Sequence, residues 1–224
     1  MSLPAHFHVD RAVNALKWPA AFGSMLVLMP AFATLVEAVK PFWLNHNRGI
    51  AFLAGAALFA LPVLLRRRIP SLGFWATFEH EMTHILFALL TLHPVRSIQA
   101  TDGNGGVMSY SGSGNWLVTI SPYFFPTVPL VAGIIAMLLP SSLRPFGIAA
   151  VGFSLAWHLA ATLRETHPGQ TDLQKVGFPF ALAFLPGITL LCLGFVLALA
   201  YRGAYGPEWF WLRLSSNFAK ALPW

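Results

Sequence analysis

Two histidines, His80 and His84, lie four residues apart, with Glu81 directly after the first. In an α-helix, residues four apart lie one above the other, so both imidazoles face one point and can bind a single metal ion. A carboxylate one position round the helix can reach a water molecule at that metal and accept its proton. The spacing therefore indicates a metal site with the chemistry of a hydrolase.

The motif lies in a strongly apolar segment. Residues 74–78 before it and 85–90 after it are apolar or aromatic with a single Thr among them. Ionisable side chains in such a setting cost roughly 2.5–3.5 kcal/mol each on membrane-insertion scales and therefore usually have a function. The alternative is that these polar side chains join neighbouring helices by hydrogen bonds, without a metal.

The composition is that of a membrane protein. The chain is 56% hydrophobic and only 10% charged, against roughly 25% charged residues in soluble domains. Its formal net charge is +6, but the basic residues flank the apolar stretches, which suits lipid headgroups and excludes a nucleic-acid partner. The single Cys192 excludes a disulfide framework.

Six apolar stretches are long enough, or nearly so, to cross a bilayer. They are Trp18–Val39, Ile50–Leu65, Ser71–Leu92, Trp116–Leu139, Phe146–Leu163 and Val176–Tyr201. We therefore predict an all-α polytopic membrane protein with about six transmembrane helices, forming one membrane domain over residues 1–224.

Lysine and arginine positions favour a cytoplasmic location for both termini. The excess of positive charge on the cytoplasmic side comes mainly from Arg66, Arg67 and Arg68, directly after the second stretch. We expect an integral, multi-pass protein of the bacterial inner membrane.

Turn-forming pairs follow the third stretch. Asp102-Gly103 and Asn104-Gly105 favour a tight turn, and the segments on either side, within residues 97–110, predict a small β-hairpin. Its exposed edge would bind a substrate as an extended strand, which a protease needs because a peptide bond inside an intact helix is inaccessible. A flexible loop is the alternative.

The C-terminal segment, residues 205–224, mixes aromatic and basic side chains. They are Trp209, Phe210, Trp211, Arg213, Phe218, Lys220 and Trp224. This mixture is typical of an amphipathic helix lying at the membrane interface. The alternative is a surface that docks a partner subunit.

The chain resembles the site-2-protease family of intramembrane zinc metalloproteases. The resemblance covers about residues 74–180 and rests on the motif from His80 to His84, on Gly105-Gly106-Val107, on Asn115 to Pro126 at the start of the next span, and on a later Asp. The chain departs from the family at Thr83, where a Gly is usual. It also departs at residues 168–173, which replace a Pro-x-x-Asp-Gly-like setting.

The resemblance implies an enzyme that binds zinc through His80, His84 and a carboxylate and hydrolyses membrane-anchored proteins. Glu81 would accept the proton of the attacking water and pass it to the leaving amine. Two alternatives from other classes remain open. One is a proteolytically inactive subunit of a membrane assembly, and the other is a small transporter of ions or protons.

Asp172 is the expected third ligand, because the resemblance implies a distant Asp. Of the three aspartates, Asp10 lies in the N-terminal tail and Asp102 in the predicted turn, whereas Asp172 lies close to a span. Pro168 and Gly169 are expected to break the helix before it, so that irregular backbone lines the cavity.

His167 and His158 remain as alternative third ligands. For His158, in the fifth stretch beside Trp157, a hydrogen bond between helices is the favoured role. Glu79 is expected to face away from the histidine pair. No specific role is expected for the other histidines, which are His6, His8, His46 and His93.

Overall fold

The computed structural model describes residues 4–44, 46–65, 72–101 and 105–221. The expectations for Arg66–Arg68, for the turn residues 102–104 and for Trp224 fall outside these residues. The elements are α1 (Ala5–Ala15), α2 (Lys17–Leu44), α3 (His46–Leu64), α4 (Leu72–Leu90), β1 (Val95–Thr101), β2 (Gly105–Tyr110), α5 (Trp116–Ile120), α6 (Thr127–Leu138), α7 (Arg144–Glu165), α8 (Thr171–Val176), α9 (Phe178–Arg202) and α10 (Gly206–Ala221). Single 3-10 turns lie at Ser121–Tyr123 and Gly203–Tyr205.

Four helical stretches are long and apolar enough to cross a membrane: Lys17–Leu44, Asn47–Leu64, Arg144–Glu165 and Phe178–Ala221. A bent pair, Trp116–Tyr123 with Thr127–Leu138, makes a fifth if both halves form one span. The motif helix α4 is not among them, because two His and two Glu lower its mean hydropathy. The predicted class, an all-α polytopic membrane protein, is confirmed, and the count of six spans is approximate.

The predicted fourth span is broken rather than continuous. The two halves of the bent pair differ in direction by 69°, and Pro122 and Pro126 lie at the break. Proline lacks the N–H that would continue the helical hydrogen bonds, so two prolines four residues apart end one helix before the next begins. The consequence is a short buried helix, α5, at the start of this region.

The predicted sixth span, Val176–Tyr201, corresponds to α9, and a separate short helix precedes it. Gly177 has a φ of 87° and ends α8, and α9 begins at Phe178. A positive φ is readily adopted only by glycine. Residues 171–176 therefore form a separate short helix that carries Asp172.

The predicted β-hairpin is present. β1 and β2 pair antiparallel, with Val95 opposite Tyr110 and Thr101 opposite Gly105, and an irregularity lies between Val95 and Ser97. The hydroxyl groups of Ser97 and Ser109 are 2.6 Å apart across the pair.

The chain divides into two compact units, each drawn from three stretches of sequence. Unit 1 is formed by residues 1–24, 70–125 and 162–185, and unit 2 by residues 25–69, 126–161 and 186–224. Unit 1 holds α1, α4, the hairpin, α5 and α8. The expectation of one membrane domain stays a prediction.

Unit 2 packs through small residues. A Cβ atom on Gly152 of α7 would overlap the carbonyl oxygen of Phe52 in α3, and one on Gly55 of α3 would overlap that of Ala149 in α7. Membrane helices associate closely where small residues meet. The surrounding core consists of apolar side chains such as Phe42 and Val196.

The C-terminal segment forms the amphipathic helix α10. It buries Phe210 and Leu214 against Ala31 and Ala198 and leaves Trp211 exposed. Asn217 also donates a hydrogen bond to the hydroxyl of Thr34 (3.1 Å). One face therefore belongs to the core of unit 2, and a position at the membrane interface stays a prediction.

Candidate metal centre

The motif lies on one helix, as its spacing predicts. His80 and His84 project from the same face of α4 with their ring centroids 4.8 Å apart. His84 is buried and His80 is half-buried. The helical periodicity alone is therefore sufficient to bring the two imidazoles together.

Asp172 meets both imidazoles from the first turn of α8. Its Oδ2 atom lies 3.2 Å from Nε2 of His84 and 3.5 Å from Nε2 of His80. Potential ligand atoms of the three residues all lie within 4.8 Å of one another, and no other group of three or more His, Cys, Asp or Glu in the described part of the chain does so.

A helix break places Asp172 here. α7 ends at Glu165 and α8 begins at Thr171, with Pro168 and Gly169 between them, as the sequence predicted. α8 buries Leu173 and Val176 and packs against α5. The carboxylate therefore approaches the histidines from a short helix rather than from a continuous span.

Electrostatics keep Asp172 in the form that binds metals. Burial raises the pKa of its carboxyl, but the hydrogen bonds with His80 and His84 outweigh burial and hold the pKa well below its ordinary value. The group is therefore an anion at neutral pH.

The other nitrogen of each imidazole is also held. Nδ1 of His84 donates to the carbonyl oxygen of Val118 in α5 at 2.7 Å, because a carbonyl can only accept. Nδ1 of His80 lies 3.3 Å from Oε2 of Glu165, the last residue of α7. Metal-binding histidines usually have this second partner, which orients the ring and selects the tautomer. Both Nε2 atoms are thus directed to the side of Asp172.

Glu81 lies beside the cluster in a shared cavity. The cavity has a volume of about 300 Å³, and its walls include Glu81, both motif histidines and Asp172. Glu81 is largely shielded, with 6% of its surface exposed. Glu79, two residues away and also buried, does not line the cavity.

The hairpin passes directly over Glu81. A Cβ atom on Gly106 of β2 would lie 2.6 Å from Cγ of Glu81 and 2.7 Å from Cγ2 of Thr77. No side chain fits at that distance, so glycine is needed for this close approach. The strand edge and the carboxylate therefore border the same cavity.

The alternative ligands do not join the group. His167 is exposed and its Nδ1 accepts a hydrogen bond from the backbone N–H of Gly169 (3.1 Å). His158 is buried in α7 and does not belong to the cluster of His80, His84 and Asp172. Neither takes the place of Asp172.

Glu165 was not singled out in the sequence. Its Oε2 atom accepts a hydrogen bond from Nε2 of Gln170 at 3.1 Å while facing His80. The sequence feature that could have indicated Glu165 was its position seven residues before Asp172, just before the break at Pro168 and Gly169.

A second buried network was missed, and the prediction of no specific role for His93 was wrong. His93 is 1% exposed, and its Nε2 lies 3.1 Å from Oδ2 of Asp10 in α1. Asn115 donates to the other oxygen of Asp10 at 2.8 Å, and its own Oδ1 accepts the N–H of Val118 at 3.1 Å. Because Val118 also binds His84, hydrogen bonds connect α1 to the candidate metal centre.

Comparison with known proteins gives one match. A family model described as Peptidase M50B-like matches residues 49–168, a stretch that includes the motif, the hairpin and Asn115. No curated protein and no solved structure matches the chain. Asp172 lies just beyond the matched residues. Because the match covers more than half of the chain, the protein belongs to the Peptidase M50B-like family, which confirms the resemblance to the site-2-protease family drawn from the motif.

Proposed function

We propose that this integral membrane protein is an intramembrane zinc metalloprotease that cleaves membrane-anchored proteins. Membership of the Peptidase M50B-like family supports a protease. The proposal of a zinc-dependent protease rests on one observation: His80, His84 and Asp172 converge beside Glu81 in one cavity.

The cluster has the chemistry and spacing that zinc requires. Zinc takes imidazole nitrogen at about 2.0–2.1 Å and carboxylate oxygen at about 2.0–2.2 Å, in tetrahedral sites. Ligand atoms at the corners of such a tetrahedron are about 3.3–3.5 Å apart. The Nε2–Oδ2 separations of 3.2 and 3.5 Å match this value, and all three ligand atoms lie within 4.8 Å of one another, which supports zinc as the ion.

The three side chains would hold zinc with one position left for water. Bound zinc supplies Lewis acidity, which lowers the pKa of a coordinated water to about 7. Glu81 is the base in this proposal: its carboxylate accepts a proton from the attacking water and returns it to the amine of the departing peptide. Glu165 and the Val118 carbonyl keep the imidazoles oriented throughout.

The substrate would enter as an extended chain along β2. β2 pairs with β1 and with no other described strand, so a further strand would add at its other edge. Strand addition at this edge would bring a peptide bond to the cavity that Glu81 borders. The bacterial inner membrane is the location proposed for this reaction.

The test compares two carboxylate-to-amide variants on the same helix. Glu81→Gln should retain zinc and abolish cleavage of a membrane-anchored reporter in proteoliposomes, because an amide cannot accept the proton. Glu79→Gln is the matched control, and we expect it to cleave at the wild-type rate. Zinc content and helical circular dichroism verify that both variants are folded.

Equal processing of the reporter by wild type and Glu81→Gln would overturn the proposal. If neither protein cleaves the reporter, the result favours an inactive relative serving as a subunit of a membrane assembly, with residues 205–224 as its docking surface. Trp211 in that segment is exposed and available for such a contact.

A further inference from the structure

A second cavity adjoins the one that holds the candidate metal centre. It has a volume of about 390 Å³ and shares Thr119 and Lys175 with the first cavity. Its other walls include Asn14, Lys17 and Ser113. Since the two cavities share walls, a peptide that extends past Thr119 and Lys175 would reach the second within a few residues, at about 3.3 Å per residue.

The two cavities differ in the charged side chains that line them. Glu81, Glu165 and Asp172 line the first cavity, whereas Lys17 and Lys175 line the second, which has no acidic side chain among its lining residues. Charges of one sign in a cleft attract the opposite sign and repel their own. A carboxylate on a bound peptide is therefore attracted into the second cavity.

Lys17 has capacity to bind an anion. Its Nζ lies 5.0 Å from the ring centroid of Phe180, a cation–π contact, and it has no carboxylate partner in an ion pair among the residues that the structure describes. An ammonium group has three N–H donors, and a ring face does not satisfy them all. The half-buried stem positions the charge, while its donors stay available.

Lys175 adds a second positive charge to the lining of this cavity. Its Nζ lies 3.9 Å from Oδ1 of Asp172, and 69% of its side chain is exposed. At that distance the pair is loose, so the ammonium can turn towards an incoming carboxylate. An exposed lysine contributes little alone, and the site depends on both cations acting together.

We propose that this second cavity, the lysine cavity, is a substrate subsite that binds an Asp or Glu side chain a few residues from the scissile bond. The inference rests on the proposed function, since it names a feature of that substrate. The walls shared with the metal-site cavity favour a peptide carboxylate over the phosphate of a lipid headgroup, because a peptide bound for cleavage lies next to these walls.

A binding experiment tests this without requiring cleavage. The zinc-loaded Glu81→Gln protein is titrated with fluorescent peptides of one neutral sequence in which a Gln is replaced by Glu at each position in turn. At one position, Glu should bind about tenfold more tightly than Gln, the value of one charge-assisted hydrogen bond. The preference should weaken as salt is raised.

Lysine variants assign the effect to the cavity. Each lysine variant is made in the Glu81→Gln protein. Lys17→Gln should remove most of the preference for Glu over Gln in the peptide, and Lys17→Glu should reverse it. Lys220 lines neither cavity, so Lys220→Gln should retain the preference. Lys175→Gln should also weaken the preference, and its zinc content is measured because Asp172 is close. No preference at any position, or one that survives Lys17→Gln, would overturn the proposal.

Two further outcomes are distinguishable. If Glu gives no preference and the lysine variants instead lose co-purified anionic phospholipid, the cavity binds headgroups and the subsite proposal fails. If Glu peptides bind through Lys17 but the wild type cleaves nothing, the protease proposal fails and the peptide site stands.

Discussion

The two compact units differ in what they bury. Unit 1 buries Asp10, Glu79, Glu81, His84 and His93, whereas the one buried ionisable side chain among the described residues of unit 2 is His158. A buried ionisable group costs stability unless it is paired, so such groups are retained where chemistry needs them. Unit 1 is therefore built around a polar site, and unit 2 around helix packing.

This difference predicts separable effects of substitution. Changes in unit 1 should first affect metal binding and activity, because its buried side chains act through directional hydrogen bonds. Changes in unit 2 should first affect stability, because its helices approach through glycines at close range.

The largest effect is expected from removing both motif histidines. His80→Ala combined with His84→Ala should abolish zinc binding, because one carboxylate cannot hold the ion alone. Elemental analysis of purified protein measures this, and His167→Ala, an exposed histidine outside the cluster, is the control. Undiminished zinc in the double variant would place the metal elsewhere.

The next effect concerns the close approach of β2 to α4. Gly106→Val should lower the rate of reporter cleavage by about a hundredfold, since displacing a catalytic group by about 1 Å costs roughly that factor. Zinc should remain bound. Gly23→Val, where a Cβ atom meets nothing within 4 Å, is the control. An active Gly106→Val protein would mean that the hairpin does not position Glu81.

A smaller effect is expected at Glu165. Loss of a partner that orients a metal-binding histidine typically weakens metal affinity by about 10–100-fold. Glu165→Ala should show this loss in a competition titration with a zinc chelator. The zinc affinity of Glu165→Gln should lie between those of Glu165→Ala and the wild type, because the amide oxygen of Gln still accepts a hydrogen bond from His80. Equal zinc affinity in all three proteins would mean that Glu165 does not orient His80 for metal binding.

The smallest effect is expected in unit 2, and it should spare the metal. Gly152→Val forces α3 and α7 apart, and overpacking of this kind costs about 1–3 kcal/mol. The midpoint of detergent-induced unfolding should fall while zinc per folded chain is unchanged. Gly133→Ala is the control, because its nearest neighbour would lie 3.5 Å away. Loss of zinc in Gly152→Val would break the separation between the units.

Local patterns predicted the parts of the site that lie close in sequence. The i, i+4 spacing placed His80 and His84 on one face, and glycine and turn pairs predicted the hairpin. The family resemblance added Asp172, 88 residues from His84. The break at Pro168 and Gly169 was also predictable, since proline cannot continue a helix.

Long-range pairing explains what was missed. Asp10 and His93 are 83 residues apart, and nothing in either local sequence marks them as partners. Glu165 faces His80 only because the chain turns back after α7. The bend at Pro122 and Pro126 was missed because prolines are often tolerated inside membrane helices, so their presence alone does not predict a break.

The most direct test of the central claim is a structure of the zinc-loaded protein with the metal located by anomalous diffraction at the zinc edge. We expect one zinc bound by Nε2 of His80 and His84, with an Asp172 oxygen about 2.0–2.2 Å from the metal. A nitrogen of His167 or His158 in that third position, with Asp172 turned to solvent, would contradict it.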